Sequence, residues 1–175
     1  MTDKRALRAR MRGLRLGFTG ATVSTPPALH ARFVPGGIVA SYMPIAGEID
    51  PAPLVAAARG AGCRIALPHV VDRPTPIRFL AADGPLVKGP FGLTQPATDA
   101  ERLAPSVILA PLVAFDRAGN RLGWGAGHYD RAFAEHPNAW RVGVAWSVQE
   151  VTALTPDPWD VPLHAILTEK EWIEP

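Results

Sequence analysis

Hydrophobic positions recur with a helical period at the start of the chain. Leu7, Met11 and Leu14 repeat at i, i+4 and i+7, which predicts a helix with one apolar stripe, capped by Thr2 or Asp3. Cap residues and prolines predict three more helices, from after residue 25 to about 33, from 50 to 60 or 62, and from about 129 to 135. The helices are therefore short and spread along the whole chain.

Short apolar runs between those helices predict the strands. They cover residues 38–43, 64–68, 77–81, 107–109, 141–146 and 165–168, and whether the fourth resumes at 113–115 is left open. Since strands alternate with helices, we expect an α/β fold, with a mostly parallel sheet flanked by helices in a single three-layer domain over residues 1–175. The turn-rich stretch 82–105 is expected to be a long surface excursion.

The composition agrees with a chain that folds around its own core. Apolar residues make up 47% of the 175 residues, charged residues make up 19%, and one cysteine excludes a disulfide framework. The longest apolar run, 107–115, contains Pro111 and is shorter than the roughly 20 residues of a membrane-spanning helix. We expect a cytoplasmic monomer with no membrane partner.

The charge is concentrated at the start of the chain. The first fifteen residues contain six basic and one acidic side chain, whereas the other 160 contain 12 basic and 15 acidic ones, so a local +5 precedes a body of −3. Lys4 and Arg8 lie one helical turn apart, and Arg12 and Arg15 continue roughly the same face. Such a segment binds an anion or forms a solvated face.

A glycine-rich loop is the clearest candidate for chemistry. Residues 119–131 read GNRLGWGAGHYDR, with Gly123, Gly125 and Gly127 between a strand candidate and a helix. Glycines let the backbone approach a ligand, and a helix N-terminus favours phosphate. No lysine follows the last glycine, so counter-charge would come from Arg121 and the basic helix, and Asp130 suits a magnesium ion on phosphate oxygens. The alternative is a tight turn without a ligand.

The segment RLGWGAGHYDR at 121–131 resembles the signature of the 5-formyltetrahydrofolate cyclo-ligases, usually RLGxGxG, an aromatic residue and YD. Six other segments resemble the family in order along nearly the whole chain. They are KRALR at 4–8, SYMPIAGEID at 41–50, ALPHV at 66–70, KGPFGLTQP at 88–96, APLVAFD at 110–116 and WDVPLHAILTEKEW at 159–172. On this ordered set the chain is identified as a member of the family.

The resemblance implies an ATP- and magnesium-dependent ring closure. 5-Formyltetrahydrofolate becomes 5,10-methenyltetrahydrofolate, while ATP becomes ADP and phosphate. The formyl oxygen is expected to attack the γ-phosphate, and the neighbouring amine nitrogen then attacks the activated carbon as phosphate leaves. Positioning and electrostatic stabilisation would supply most of the catalysis.

The resemblance also implies residue roles, position by position. Arg121 is the expected catalytic residue, and Asp130 and Asp160 are the expected magnesium ligands. The expected substrate contacts are Met43, Glu48, Trp124, Gly125, Ala126, Gly127 and His128, with Glu48 on the pterin ring. The expected ATP contacts are Lys4, Arg5, Ala6, Leu7, Arg8, Arg121, Leu122, Gly123, Trp124, Gly125, Ala126, Gly127, His128 and Tyr129, with Lys4 and Arg8 on the phosphates.

Two residues depart from the family pattern. His128 stands where members usually have Tyr or Phe, and Ala126 stands where some have lysine and others glycine. A histidine can still stack on a ligand, but it adds a group that titrates near neutral pH. Substrate choice and pH profile are the properties that these departures leave open.

Three other functions explain parts of the sequence. A paralogue of the family would keep the ATP site and act on another formylated or carboxylated metabolite. A nucleic-acid-binding module would use the basic helix but leaves the glycine loop unexplained, so no nucleic-acid partner is expected. A sugar-phosphate isomerase or CoA-transferase-like protein is suggested by the α/β layout alone.

The remaining conspicuous residues are expected to be structural. Arg10, Arg12 and Arg15 are assigned to a solvated helix face, and Cys63 to a small buried position. Four tryptophans are expected in the core and four histidines in structural or surface positions. These are Trp140, Trp146, Trp159 and Trp172, and His30, His69, His136 and His164.

Overall fold

The computed structural model describes residues 3–45 and 47–175. The helices are α1 (Lys4–Leu16), α2 (Pro27–His30), α3 (Ala52–Gly60) and α4 (His128–Glu135), with 3-10 turns at Pro90–Gly92 and Ser147–Gln149. The strands are β1 (Ile38–Ala40), β2 (Arg64–His69), β3 (Arg78–Ala81), β4 (Leu86–Lys88), β5 (Thr94–Pro96), β6 (Val107–Pro111), β7 (Ala114–Phe115), β8 (Arg121–Leu122), β9 (Trp140–Val144), β10 (Ala165–Leu167) and β11 (Trp172–Ile173).

Seven of these strands form one sheet in the order β11-β10-β9-β6-β1-β2-β3. The four inner pairings, β10 with β9, β9 with β6, β6 with β1 and β1 with β2, are parallel. Both edge strands, β3 and β11, run antiparallel to their neighbours. The predicted mostly parallel α/β sheet is confirmed.

Alternate residues of the central strands face opposite sides of the sheet, because the side-chain period of a strand is two. Val39 and Leu109 face the core that contains Leu54 of α3 and Leu29 of α2. Their neighbours Ala40 and Ala110, with Ile108, face the core that contains Phe133 of α4. Helices therefore cover both faces, as the prediction of three layers requires.

Helix α1 is capped by Asp3, as predicted, but its buried stripe differs from the expected one. The Asp3 side chain accepts hydrogen bonds from two first-turn N–H groups, and Met11 is buried. Leu14 is 46% exposed, whereas Arg15 is 1% exposed. The predicted stripe through Leu14 is wrong, because the stripe turns toward Arg15, which finds a buried carboxylate partner.

The stretch 82–105 is not only a surface excursion, so that prediction is wrong in part. It contains the β4–β5 hairpin, and Gln95 of β5 is buried against the end of β2. The Gln95 side chain accepts from the N–H of Val70 at 2.9 Å and donates to its carbonyl oxygen at 3.1 Å. One amide thus ties the hairpin to the central sheet.

Several element ends also differ from the predicted ones. The first strand stops at Ala40 rather than residue 43, and the run that resumes at Ala114 pairs with β8 instead of joining the large sheet. Strand β11 was not predicted, because two residues are too few to show a period. Within residues 3–45 and 47–175, every helix is too short or too polar to span a bilayer.

Candidate active site

A cavity of about 700 Å³ lies at the carboxyl ends of β1, β2 and β6. Its walls come from α1, the segment after β1, the β2–β3 and β4–β5 connections, the segment 121–130 and the segment 157–160. Ligands of open parallel sheets bind at the carboxyl ends of the strands. The sheet topology therefore brings six distant stretches of chain to one site.

The glycine loop joins β8 directly to α4. Gly125 has φ +99° and Gly127, the residue that precedes α4, has φ +66°, in the region that favours glycine. The first N–H groups of α4 have no partners within the helix, and they carry its partial positive charge. The predicted strand, loop and helix are all present, with the hairpin β7–β8 in place of a long preceding strand.

The basic face of α1 packs against this loop. The Arg8 side chain donates from Nε to the carbonyl oxygen of Gly123 at 2.8 Å. A Cβ atom added to Gly125 would lie 3.4 Å from Arg8 Cζ, in ordinary van der Waals contact, so the positive φ rather than lack of space favours glycine here. The charge at the start of the chain and the loop without a lysine are therefore in contact, as predicted.

The other predicted phosphate-binding cations pair with carboxylates. Lys4 Nζ lies 2.6 Å from Asp157 Oδ2 and 3.5 Å from Asp160 Oδ2, and the Asp157 hydrogen bond is the main cause of the raised pKa of Lys4. Arg121 Nη2 donates to Asp130 Oδ1 at 2.7 Å, and its guanidinium lies over the Phe133 ring. The cations and the predicted metal ligands are next to each other.

Asp130 and Asp160 can serve as a magnesium site in combination with phosphate. The Asp130 Oδ1 atom also accepts from the N–H of Val161 at 3.2 Å, which brings Asp130 beside the residue after Asp160. Among the described residues, no three His, Cys, Asp or Glu side chains cluster closely enough to hold a metal. Two carboxylates suit magnesium, because it usually keeps waters and takes further oxygens from substrate phosphates.

Glu48 forms another part of the site, beside Trp124 of the glycine loop. Its Oε2 atom accepts from the N–H of Ile45 at 3.1 Å, and its Oε1 atom accepts from Trp124 Nε1 at 3.2 Å and Arg15 Nη1 at 3.4 Å. Burial raises the pKa of this carboxyl, while these three donors lower it. Glu48 is thus a buried acceptor group at the edge of the cavity.

Arg12 and Arg15 are not solvated surface residues, so their predicted assignment is wrong. Their guanidinium groups lie 5.0 and 5.2 Å from the centre of the Trp124 ring. Arg12 lines the cavity, whereas Arg15 is buried behind Glu48. The positions of Arg12 and Arg15 could not be predicted from α1 alone, because they depend on how the glycine loop packs against this helix. Arg10 is exposed, as expected.

His128 lines the cavity at the first position of α4. Its Nε2 atom lies 3.1 Å from the carbonyl oxygen of Arg73, and Arg131 Nη2 donates to the same oxygen at 2.9 Å. Burial lowers the pKa of His128. The histidine that departs from the family pattern therefore helps to attach the β2–β3 connection to α4.

All but three of the predicted site residues line the cavity. The exceptions are Arg5 and Ala6, which are exposed, and Leu7, which packs against the core around Met11. Tyr42, Arg73, Phe91 and Asp157 also line the cavity, although they were not predicted as site residues. Tyr42 and Phe91 lie within the family segments 41–50 and 88–96, and Asp157 lies three residues before Asp160, so Arg73 is the one of these four without a local signal.

Trp159 was expected in the core, and that expectation is wrong. It is 69% exposed and lines the cavity beside Asp160. The other tryptophans of that group, Trp140, Trp146 and Trp172, are partly buried and pack on the core, and Cys63 is buried, as predicted. Trp159 lies between Pro158 and Asp160 in a segment without regular secondary structure, whereas Trp140 and Trp172 lie in strands and Trp146 directly follows the strand residues 140–144 and Ala145.

Comparisons with known proteins identify the family of this chain. The model of the 5-formyltetrahydrofolate cyclo-ligase family matches residues 22–169. The 5-formyltetrahydrofolate cyclo-ligase of Escherichia coli (strain K12) is 34% identical over 158 residues, 84% of each chain. That of Haemophilus influenzae is 39% identical over 97 residues, so the matched part spans 51% of that relative.

A solved structure shows the same likeness. The NMR structure of Aquifex aeolicus 5,10-methenyltetrahydrofolate synthetase matches with a TM-score of 0.77 and 29% identity, over 99% of this chain and 93% of that one. The family match covers most of the chain and contains the glycine loop, Glu48 and both aspartates. This chain belongs to the 5-formyltetrahydrofolate cyclo-ligase family, a family of ligases.

Proposed function

We propose that this protein converts 5-formyltetrahydrofolate to 5,10-methenyltetrahydrofolate with ATP and magnesium, and releases ADP and phosphate. One observation carries the proposal. The glycine loop at the start of α4, the cations Lys4, Arg8 and Arg121, and the buried acceptor Glu48 surround one cavity of about 700 Å³. A phosphate donor and a hydrogen-bonding ring can therefore meet in one space.

The phosphate end would bind the triphosphate. Backbone N–H groups of the loop and of the first turn of α4 donate to phosphate oxygens, and Arg8 and Lys4 supply charge. Asp130 and Asp160 would hold the magnesium ion, which would neutralise negative charge on the phosphate oxygens. Because Lys4 and Arg121 already contact these carboxylates, the site can exchange its internal ion pairs for pairs with phosphate.

The folate end would bind the pterin. Glu48 accepts N–H hydrogen bonds of the ring, while Met43 and Trp124 supply apolar contact from opposite segments of the wall. In this proposal the formyl group would face the loop, where the γ-phosphate would bind. Ring closure needs little covalent help from the protein, since the substrate supplies both the attacking oxygen and the attacking nitrogen.

The chemistry balances without a protein nucleophile. The formyl oxygen attacks the γ-phosphorus as the bond to ADP breaks, giving a phosphorylated imidate. The N10 nitrogen then attacks the formyl carbon, the carbon–oxygen bond breaks and phosphate leaves with that oxygen, while the N10 proton passes to solvent. Arg121 would stabilise the charge on the phosphoryl group during the first step.

The test is an absorbance assay with purified protein and 5-formyltetrahydrofolate. We expect near-ultraviolet absorbance of the methenyl product to appear only when ATP and magnesium are both present, with one ADP formed for each product. Leaving out either component, or adding excess EDTA, provides the control. If the protein binds ATP but forms no product from this folate, the function is that of a paralogue with another formylated or carboxylated substrate.

A further inference from the structure

Arg15 lies directly behind Glu48, on the side away from the cavity. Its Nη1 atom is 3.4 Å from Glu48 Oε1 and 3.3 Å from the carbonyl oxygen of Leu112, just after β6. The Arg15 side chain is 1% exposed and the Glu48 side chain is 4% exposed. Arg15 does not line the cavity, but it contacts two residues that do: it donates a hydrogen bond to Glu48, and its guanidinium lies over the Trp124 ring.

We propose that Arg15 is a positioning residue that keeps Glu48 ionised and aimed into the cavity, as the acceptor for N–H groups of the reduced pterin. This inference rests on the proposed function, because it takes the folate as the ligand of Glu48. It goes beyond that function because it assigns a role to a residue that no substrate touches.

Burial is the reason that Glu48 needs a cation. A carboxylate removed from water takes up a proton unless a positive charge or hydrogen-bond donors stabilise its charged form. The N–H of Ile45 and the indole of Trp124 are neutral donors, whereas Arg15 brings a full charge. Without Arg15, the two neutral donors would have to offset the cost of burying the charge without the help of a cation.

The other groups that face Glu48 cannot replace Arg15. Burial raises the pKa of both Tyr42 and Tyr129, so these phenols stay neutral near physiological pH. Asp50 is negatively charged like Glu48, and its charge raises the pKa of Tyr42, so it cannot stabilise the Glu48 carboxylate. Arg12 lies over the Trp124 ring rather than at the carboxylate. Arg15 is the cation with a hydrogen bond to Glu48 in the described part of the chain.

Ionisation decides what Glu48 can bind. A carboxylate has about four acceptor positions, and two donors on Oε1 and one on Oε2 leave a position on Oε2 for a ligand N–H. Protonation would turn that acceptor into a donor, which repels a pterin N–H. Loss of Arg15 is therefore expected to weaken folate binding at low pH and to leave ATP binding unchanged.

The first experiment compares Arg15→Met with Arg10→Met, a change at an exposed arginine of the same helix. For wild type and Arg10→Met, we expect a nearly constant KM for the folate between about pH 8 and pH 6. For Arg15→Met, we expect the folate KM to rise at least about tenfold over that range, while the KM for ATP stays within about twofold. Arg15→Lys keeps the charge and should restore much of the profile.

A double-mutant cycle with Glu48→Gln separates the proposed role from a general packing role. Gln cannot titrate, so Glu48→Gln should have a raised but pH-independent folate KM, and adding Arg15→Met should not change it further. If Arg15→Met has a pH-independent KM, or if its effect is as large in the Glu48→Gln background, Arg15 does not act through the charge of Glu48.

A second measurement needs no substrate and separates failure of this inference from failure of the proposed function. A raised pKa of Glu48 in the folded state makes stability fall as pH rises above about 4.3, and Arg15→Met should extend that fall toward neutral pH. In the double variant Arg15→Met/Glu48→Gln, stability should no longer fall toward neutral pH, because Gln cannot titrate. This double variant should fold even if Arg15→Met alone does not. An inactive wild type with this thermal pattern overturns the function alone. An unfolded double variant, or the absence of the extension, overturns the role of Arg15.

Discussion

Arg121 is held from two sides at the start of the glycine loop. Asp130 accepts its hydrogen bond and Phe133 lies beneath its guanidinium, so the side chain is only 6% exposed. We predict that Arg121→Ala lowers kcat about 10²- to 10³-fold, because the proposed phosphoryl transfer would lose a stabilising charge. Steady-state kinetics with saturating ATP and folate measure this loss.

The same variant should also reduce stability, because Asp130 loses its charged partner in a partly buried position. We expect about 3 kcal/mol lower free energy of unfolding in urea. Arg117→Ala is the matched control, since Arg117 pairs with exposed carboxylates of Glu150 and Glu171 outside the cavity. Survival of kcat within a few-fold in Arg121→Ala would remove Arg121 from the catalytic step.

A substitution at Lys4 tests the proposed ATP end of the cavity separately from the proposed folate end. It contacts Asp157 and Asp160 at the end of the cavity that would hold the phosphates, far along the chain from Glu48. We predict that Lys4→Ala raises the KM for ATP about tenfold, the value of one lost charge-assisted hydrogen bond, and leaves the folate KM nearly unchanged. Arg10→Ala provides the control, and a change confined to the folate KM would contradict the assignment.

At the scale of elements, the contact between α1 and the glycine loop depends on one backbone conformation. Gly125 has φ +99°, and an added Cβ would face the Arg8 guanidinium at 3.4 Å. We predict that Gly125→Ala lowers kcat/KM for ATP about tenfold, because positive φ costs an L residue about 1–2 kcal/mol. Initial rates at low ATP measure this effect.

Gly123→Ala provides the contrast within the same loop. A Cβ atom at Gly123 meets no other atom within 4 Å and needs no positive φ. The loss in Gly123→Ala should therefore be clearly smaller than in Gly125→Ala. Equal losses would mean that the loop tolerates no side chain for a reason other than the backbone conformation of Gly125.

Helix α1 also shows how an element can mislead when it is considered alone. An isolated amphipathic helix would bury Leu14 and expose Arg15, but the fold does the opposite. The helix turns its basic face inward because Glu48 and the Trp124 ring lie there. Glu48 lies more than thirty residues further along the chain, and Trp124 lies more than one hundred residues further along. These two distant residues thus decide which face of α1 is buried.

At the scale of the whole molecule, acid sensitivity is expected from three half-buried histidines. Burial lowers the pKa of His128, His136 and His164 below its usual value. The unfolded chain takes up protons near pH 6.5 while the folded state resists them, so their contribution to stability is present above about pH 6.5 and lost as pH falls. We predict a falling Tm between about pH 7 and pH 5.

Thermal unfolding of His128→Asn and His136→Gln checks this prediction. Each variant should show a shallower fall of Tm toward low pH than the wild type does. The raised pKa of Glu48 acts in the opposite sense, so the comparison between variants isolates the histidine effect better than the wild-type curve alone. If Tm falls with pH equally steeply in the wild type and in both variants, the histidines do not cause the acid sensitivity.

Much of the fold could be predicted from local sequence patterns. Apolar runs between Gly and Pro residues predicted the central strands, and the alternation of strands and helices predicted the mostly parallel sheet, because these patterns follow from the periods of strands and helices. The segments 86–88 and 172–173 were not predicted as strands. They are too short for a period, and their pairing depends on β5 and β10.

The candidate site was predictable to the extent that it lies in a motif. The ordered segments around Glu48, Gly125, Asp130 and Asp160 predicted the family, which the comparisons confirm. The environment of these residues was not predictable, since burial and pairing depend on segments that are distant in sequence. Lys4 and Asp157, which form an ion pair, are 153 residues apart.

By itself, the sequence determined the family, the kind of sheet, the glycine loop and the concentration of positive charge at the start of the chain. Each of these is local, because a motif, a period or a charge run is complete within a few residues. Only the tertiary structure decided that Arg15 is buried against Glu48, that Trp159 is exposed in the cavity, and that the loop rests on Arg8. The physical reason is that the free energy of a buried charge or ring depends on the groups around it, and the fold brings those groups from distant parts of the chain.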